Sequence, residues 1–212
     1  MPTISVIGPP GSGKSTFCYN FSRFLEKQGT RTAIANANFF CKHITYVPDY
    51  DIRNKKDVKK AYTQHQDNWP KFFEEMLRFM EKDPKLSEMR SESTLFLDFS
   101  IPLEYLVFFY PHMKAFYGVS DKIVLLSSEN FRTHGGQSTI LATARLMEEV
   151  SGRQITPVFN RPGLEKPEKS KQATLFEMLF SGDPGEPNDV TEINAVERLG
   201  FKQLVKELKL GE

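Results

Sequence analysis

Long hydrophobic runs are missing from this chain of 212 residues. The longest strongly apolar stretch runs only from Tyr105 to Tyr110, whereas a membrane-crossing helix takes about 20 residues. The opening Met-Pro-Thr-Ile-Ser has no basic segment ahead of an apolar one, so no export signal is expected, no membrane is expected among the partners, and the expected compartment is the cytoplasm. Cysteine is nearly absent. Cys18 and Cys41 are too few for a disulfide framework and form no Cys-x-x-Cys pair, so they read as buried or idle thiols in a reducing compartment. Excess charge is absent too: 28 Lys plus Arg against 27 Asp plus Glu leave +1, no surplus to grip a phosphate backbone, and nucleic acid is not an expected partner. His43, His65, His112 and His134 show no metal-ligand spacing. No repeat or low-complexity tract stands out.

What the chain does have is apolar material: 39% hydrophobic residues, with 18 Phe, enough for the core of one domain. Five short runs rich in β-branched and aromatic residues read as strands: Thr3–Ile7, Thr32–Ala35, Leu95–Phe99, Ile123–Ser127 and Ile155–Phe159. Each is apolar almost throughout, the pattern of strands covered on both faces in a parallel sheet. Helical patterns alternate with them. Phe17, Phe21, Phe24 and Leu25 share a face closed by Gly29; Pro70 opens a helix with Phe73, Met76, Leu77 and Met80 on one side; Ser138 caps another with Ile140, Leu141, Ala144 and Met147, ended by Gly152.

The expected fold is therefore α/β, a doubly wound, mainly parallel sheet between helix layers, with ligands at the carboxyl ends of the strands. One domain over residues 1–212 is expected, with a helical insertion at about 39–93 and a Pro- and Lys-rich loop, read as mobile, at about 161–190. A short helix over Ala173–Phe180 is expected inside that loop, and a terminal helix carries Ile193, Val196, Leu204, Val205 and Leu208.

Gly8-Pro9-Pro10-Gly11-Ser12-Gly13-Lys14-Ser15 follows the G-x-x-x-x-G-K-[ST] pattern, after a predicted strand and before a predicted helix, the context that gives it meaning. Glycines let the backbone curl so that N–H groups face phosphate oxygens, and the helix start adds its positive end. Gly11, Ser12, Gly13, Lys14, Ser15 and Thr16 are the expected phosphate ligands, Lys14 reaching the β- and γ-phosphates and Ser15 offering its hydroxyl to Mg²⁺. Asp98, in Leu95–Phe99, is the expected second magnesium partner, acting through water, and Lys14 and Asp98 are the residues on which any chemistry would rest.

At these residues the chain resembles the GPN-loop GTPases, relatives of dimeric P-loop switch proteins that bind GTP, carry Gly-Pro-Asn on an insertion and take part in assembly of protein complexes. The similarity extends over most of the chain. Gly8 to Thr16 is similar to the family's phosphate loop, and Val47-Pro48-Asp49-Tyr50-Asp51-Ile52-Arg53 resembles its Pro-Asp-x-Asp-Ile-Arg stretch. Glu104 falls where the family has the glutamate of Asp-x-Pro-Gly-Gln-x-Glu, and the helix from Ser138 resembles the one before the base-reading strand.

The departures bear on mechanism. Asn36-Ala37-Asn38-Phe39-Phe40 stands where the family has Asn-x-Asp-Pro-Ala; the amide of Asn38 cannot accept a proton as a carboxylate does, though it can orient water. Ser100-Ile101-Pro102 replaces Pro-Gly-Gln, and no Gly-Pro-Asn occurs, its place falling near His65-Gln66-Asp67. Where the family has [NST]-K-x-D, this chain has Asn160-Arg161-Pro162-Gly163, and Gly163 has no side chain to receive the donors of guanine. Asn160 is suited to adenine, since an amide donates to N7 and accepts from the exocyclic amine. Asn-Arg at this place also resembles the adenine-binding branch of the wider class, such as the septum-site ATPases, with Arg161 lying along the base.

The expected ligand is a purine nucleoside triphosphate with Mg²⁺, ATP favoured over GTP, hydrolysed slowly or not at all, in a nucleotide-dependent assembly or scaffold factor with a homodimer and a protein partner among its states. Three other readings stay open: an ATP-dependent phosphotransferase for a small acceptor, with Arg161–Lys171 as its lid, a GTPase that retains the family activity, and a nucleotide-binding relic whose surface serves a partner. Asp49, Asp51 and Arg53 read either as a charge cluster facing the nucleotide or as a solvated face. Gly135-Gly136 reads as a hinge or a plain approach to a helix, and Phe108-Phe109-Tyr110 as core.

Overall fold

All five predicted strands form, most with a residue or two added, and two short ones join them. The computed structural model describes residues 1–39, 46–101, 103–108, 110–128, 136–161 and 190–210. Its strands are β1 Thr3–Ile7, β2 Thr32–Ala37, β3 Tyr50–Asp51, β4 Thr94–Phe99, β5 Lys122–Ser128, β6 Ile155–Asn160 and β7 Thr191–Ile193. They form one sheet in the order β3-β2-β4-β1-β5-β6-β7, and every pairing is parallel. The helices are α1 Lys14–Glu26, α2 Lys56–Gln64, α3 Trp69–Lys82, α4 Pro84–Glu92, α5 Leu103–Phe108, α6 Tyr110–Val119, α7 Gly136–Ser151 and α8 Phe201–Glu207. None of the described helices is long and apolar enough to cross a membrane.

Strand alternation divides the apolar residues between two cores. Ile4, Val6, Ile34, Phe96, Val124 and Val158 face α1 and α8, where Phe17, Phe21 and Phe201 are fully buried. Ala33, Ala35, Leu95, Leu97, Ile123 and Leu125 face the other way, against Phe72, Phe73 and Met76 of α3, Phe116 of α6 and Met147 of α7. Burial on both faces is why these strands read as unbroken apolar runs. The same alternation carries Asn36, Asp98 and Asn160 to the α1 side at the carboxyl ends of their strands, and register sets Asp98 beside Val6 of β1 and Asn36 of β2.

Two expectations change. Ile193 belongs to a strand and not to the terminal helix, and Val196 is 71% exposed ahead of α8, which starts only at Phe201. A three-residue strand between turns is too short to show a period, and Ile193 at helical spacing from Val196 mimics one. Helix α7 begins at Gly136, so Ser138 lies inside its first turn and does not precede it as a cap. The helix start expected at Pro70 holds: α3 begins at Trp69 with Pro70 in its first turn, and Asn68 caps it, its side chain accepting from the Lys71 N–H at 3.2 Å. Residues 162–189 of the expected loop, with its short helix and Gly163, together with Cys41, His43, His134 and the Phe109 of the aromatic triplet, lie outside the described residues.

Candidate functional site

Between β1 and α1 the backbone turns on glycines that the sequence pattern singled out. Gly8 has φ +148°, and a Cβ there would lie 2.0 Å from the Leu126 carbonyl oxygen, so no side chain fits. Ser12 N–H closes the turn on the Pro9 carbonyl at 3.2 Å. Gly13, at φ +91°, precedes α1 with no side chain capping it. The N–H groups of a first helical turn point out along the axis, the arrangement that receives an anion. Lys14 is only 5% exposed, and its Nζ donates to the carbonyls of Gly8 and Pro9, both at 2.9 Å. Its own loop thereby fixes the ammonium.

Beneath the loop, Ser15 Oγ donates to Asp98 Oδ2 at 2.6 Å. Asp98 is fully buried and receives two more donors, Tyr46 Oη on Oδ2 at 3.1 Å and Asn38 Nδ2 on Oδ1 at 3.4 Å. Burial pushes its carboxyl above the usual aspartate range, and the Ser15 hydrogen bond, the Lys14 charge, Tyr46 and Asn38 pull it back part of the way. Tyr46 is pushed up in turn, first by burial and then by the Asp98 charge, so its hydroxyl stays a donor. Cys18, one turn along α1, is buried and its thiol is pushed well up, by burial and then by Asp98.

Among the described residues no three His, Cys, Asp or Glu side chains cluster as a metal cage. Magnesium does not require one, because it usually takes one or two protein oxygens and fills its octahedron from phosphate and water. A serine hydroxyl that gives its proton to a carboxylate keeps its lone pairs, so Ser15 with Asp98 behind it fits a hard cation held jointly with phosphates.

On the other side of the loop, Asn160 Nδ2 donates to the Ser12 carbonyl at 3.2 Å and Asn160 Oδ1 accepts from the Ala195 N–H at 3.0 Å. A Cβ on Gly13 would come within 2.6 Å of Asn160 Nδ2. The amide thus fastens the phosphate loop to the turn after β7, where Asn194 Oδ1 accepts from the Val196 and Glu197 N–H groups at 3.1 Å. Arg161, next along, has its backbone N–H on the Ile193 carbonyl, and its half-exposed guanidinium lies 3.6 Å from Glu192.

The structure brings Gly11 to Thr16, Asp98 and Asn160 together at the carboxyl ends of the strands. Of the charge cluster, Asp49 supports that sheet, its Oδ2 accepting the Ile34 N–H at 2.8 Å. Asp51 and Arg53 pair at 2.8 Å, and Arg53 also donates to the Asn38 carbonyl at 3.3 Å. Tyr46 and Ala195 were not singled out from the sequence. Tyr46 directly precedes the Val47–Arg53 stretch, and that stretch was the available signal. A contact made by a backbone N–H, as at Ala195, leaves no mark in residue type.

Residues 6–71 match a family described as a conserved hypothetical ATP binding protein. Over 59 residues the chain is 36% identical to the GPN-loop GTPase 2 homolog of Dictyostelium discoideum, 28% of this chain and 19% of that one. Over 54 residues it is 41% identical to GPN-loop GTPase 2 of Schizosaccharomyces pombe, 26% of this chain and 17% of that one. The match thus spans only about a fifth of the length of these curated relatives. In three dimensions the chain is similar to an apo GTPase from Pyrococcus abyssi, with a TM-score of 0.69, 20% identity, and 98% and 96% of the two chains covered. At that identity the likeness is one of fold.

Proposed function

We propose that this chain is a GPN-loop GTPase relative, from its partial identity to two such proteins and the match of residues 6–71 to an ATP-binding family, and that it binds a purine nucleoside triphosphate with Mg²⁺ at the loop Gly8–Thr16. The observation that carries this reading is the Lys14 ammonium fixed on the Gly8 and Pro9 carbonyls above a Ser15–Asp98 pair. Lys14 clamps the β- and γ-phosphates, the α1 N-terminus receives their oxygens, and Ser15 offers a lone pair while Asp98 holds its proton. Magnesium supplies charge neutralisation on the phosphates.

Hydrolysis is slow or absent. An attacking water needs a base or a positioning group, and Asn38 offers an amide already committed to Asp98, while the Asp98 carboxylate is buried under three donors. ATP is favoured over GTP because Gly163 has no carboxylate for guanine; Asn160, whose Oδ1 already accepts from the Ala195 N–H, keeps a second amide proton for N7, an acceptor that both purines carry. Arg161 lies beside the base. The biological role is that of a nucleotide-dependent assembly or scaffold factor, in keeping with slow turnover.

Thermal-shift titration with ATP, ADP, GTP and GDP, with and without Mg²⁺, tests this. A ligand at 100 times its Kd adds about 2.7 kcal/mol, which for a chain of this size raises Tm by roughly 5–10 °C. The largest shift is expected with ATP and Mg²⁺, and Lys14→Ala should remove most of it. No shift with any of the four overturns the reading, and a larger shift with GTP overturns the base assignment.

A further inference from the structure

Two of the three donors on Asp98 come from segments already tied to the phosphate site, Ser15 on α1 and Asn38 at the end of β2. The third comes from elsewhere. Tyr46 lies in the connection that runs from β2 to β3, and its hydroxyl donates to Asp98 Oδ2, the oxygen that also takes the Ser15 proton. Its ring is 7% exposed and stacks on Tyr19 of α1, centroids 6.1 Å apart and planes 21° apart. Tyr19 stands one helical turn beyond Ser15, and the Arg23 guanidinium, a further turn on, lies 5.5 Å from the centre of the Tyr19 ring. Tyr46 is therefore held at both ends, its ring by α1 and its hydroxyl by the buried carboxylate. The next residue, Val47, is 94% exposed.

A phenol that does no more than fill space has no need of a charged partner, and burying a hydroxyl is favourable only where it is hydrogen-bonded. Here the partner is the Asp98 carboxylate, the group read above as the support of Mg²⁺. With Ser15 and Tyr46 both on Oδ2 and Asn38 on Oδ1, the plane of the carboxyl group is set from both sides. We propose that Tyr46 is a positioning residue for the metal site: its hydroxyl sets the orientation of Asp98 towards a magnesium-bound nucleotide, and its ring ties that orientation to α1. The proposal rests on the nucleotide reading above. It goes beyond that reading by adding a residue from the β2–β3 connection to the groups that determine metal-dependent affinity.

Tyr46→Phe keeps the ring on Tyr19 and removes only the hydroxyl. Isothermal titration with ATP is to be run on wild type, Tyr46→Phe and Tyr19→Phe, each in Mg²⁺ and in EDTA, with circular dichroism and melting recorded alongside. A hydrogen bond to a charged group is worth about a factor of ten or more. Tyr46→Phe should therefore lose roughly ten-fold in affinity in Mg²⁺ and nothing in EDTA, and Tyr19→Phe, which keeps a stacking ring and every donor on Asp98, should match wild type in both. Unchanged or tighter binding of Tyr46→Phe in Mg²⁺ overturns the proposal while leaving the nucleotide reading intact. An equal loss in EDTA also overturns it, because the effect is then not on the metal, and so does failure of Tyr46→Phe to fold, because the hydroxyl then serves the fold. If wild type binds ATP in neither medium, both readings fall together.

Discussion

Gly13 and Asn160 lie far apart in sequence and meet beside the loop Gly8–Thr16. At φ +91° any L-residue replacing Gly13 is strained, and a Cβ also meets the Asn160 amide at 2.6 Å. Gly13→Ala should cost about 1–3 kcal/mol. Asn160→Ala leaves the Ser12 carbonyl and the Ala195 N–H unmatched, a further cost of about 1–3 kcal/mol. The double variant should lose less than the sum, because the collision disappears with the amide while the φ strain stays. Urea midpoints of the four proteins measure this coupling, and strict additivity contradicts the contact. Both residues stand out in the sequence; their contact does not. The sequence pointed the Asn160 amide at a base, and no spacing rule links a loop glycine to a strand end 148 residues from its neighbour Ser12.

At the scale of elements, what the sequence showed depended on length. Helix α3 announced itself through Pro70 and an apolar face repeated over several turns, and the four predicted strands around β1 did so through unbroken apolar runs. Strand β3 has two residues and β7 three, and at that length alternation has no room to repeat. Polar groups hold β3 where apolar period is lacking. Asp49 takes the Ile34 N–H, and Asp51 accepts from the Arg53 backbone at 3.1 Å while gripping its guanidinium at 3.0 and 2.8 Å. Burial alone would raise the Asp51 carboxyl; the Arg53 hydrogen bonds and charge outweigh it, and the group sits below the usual aspartate range. A carboxyl whose folded pKa is depressed stabilises the fold above its unfolded pKa and loses that contribution as pH falls through the folded value. Asp51→Asn should therefore be less stable than wild type at neutral pH by about 1 kcal/mol. The gap should close as pH drops below about 4, read from urea midpoints against pH. A gap that widens in acid contradicts the sign.

For the whole molecule, the α/β class and the turn proposed to hold phosphate were legible from apolar runs and one glycine pattern, because both are local in sequence. The partners of Asp98 were not local. Ser15, Asn38 and Tyr46 converge through strand order and register, which residue type does not encode. The two cores are unequal in how they are closed. On the α1 side, α8 closes the sheet through Phe201, whose ring meets Phe21, Phe24 and Phe17 at 5.0, 5.6 and 5.9 Å. Phe201→Ala should cost about 3–5 kcal/mol, measured by calorimetry. A loss under 1 kcal/mol would mean that α8 is not part of the cooperative unit.

The place of β1 has a consequence for biosynthesis. It lies in the middle of the sheet, Thr3 facing Leu95 on one side and Ile4 facing Lys122 on the other. A ribosome thus delivers the central strand long before either neighbour exists, and both pairings wait on distant chain. Until β4 and β5 emerge, Thr3–Ile7 is an apolar segment with two open edges, the species most prone to stick to another nascent copy. Slowing translation ahead of residue 95 lengthens that interval, and a holdase that covers the first strand shortens the exposure.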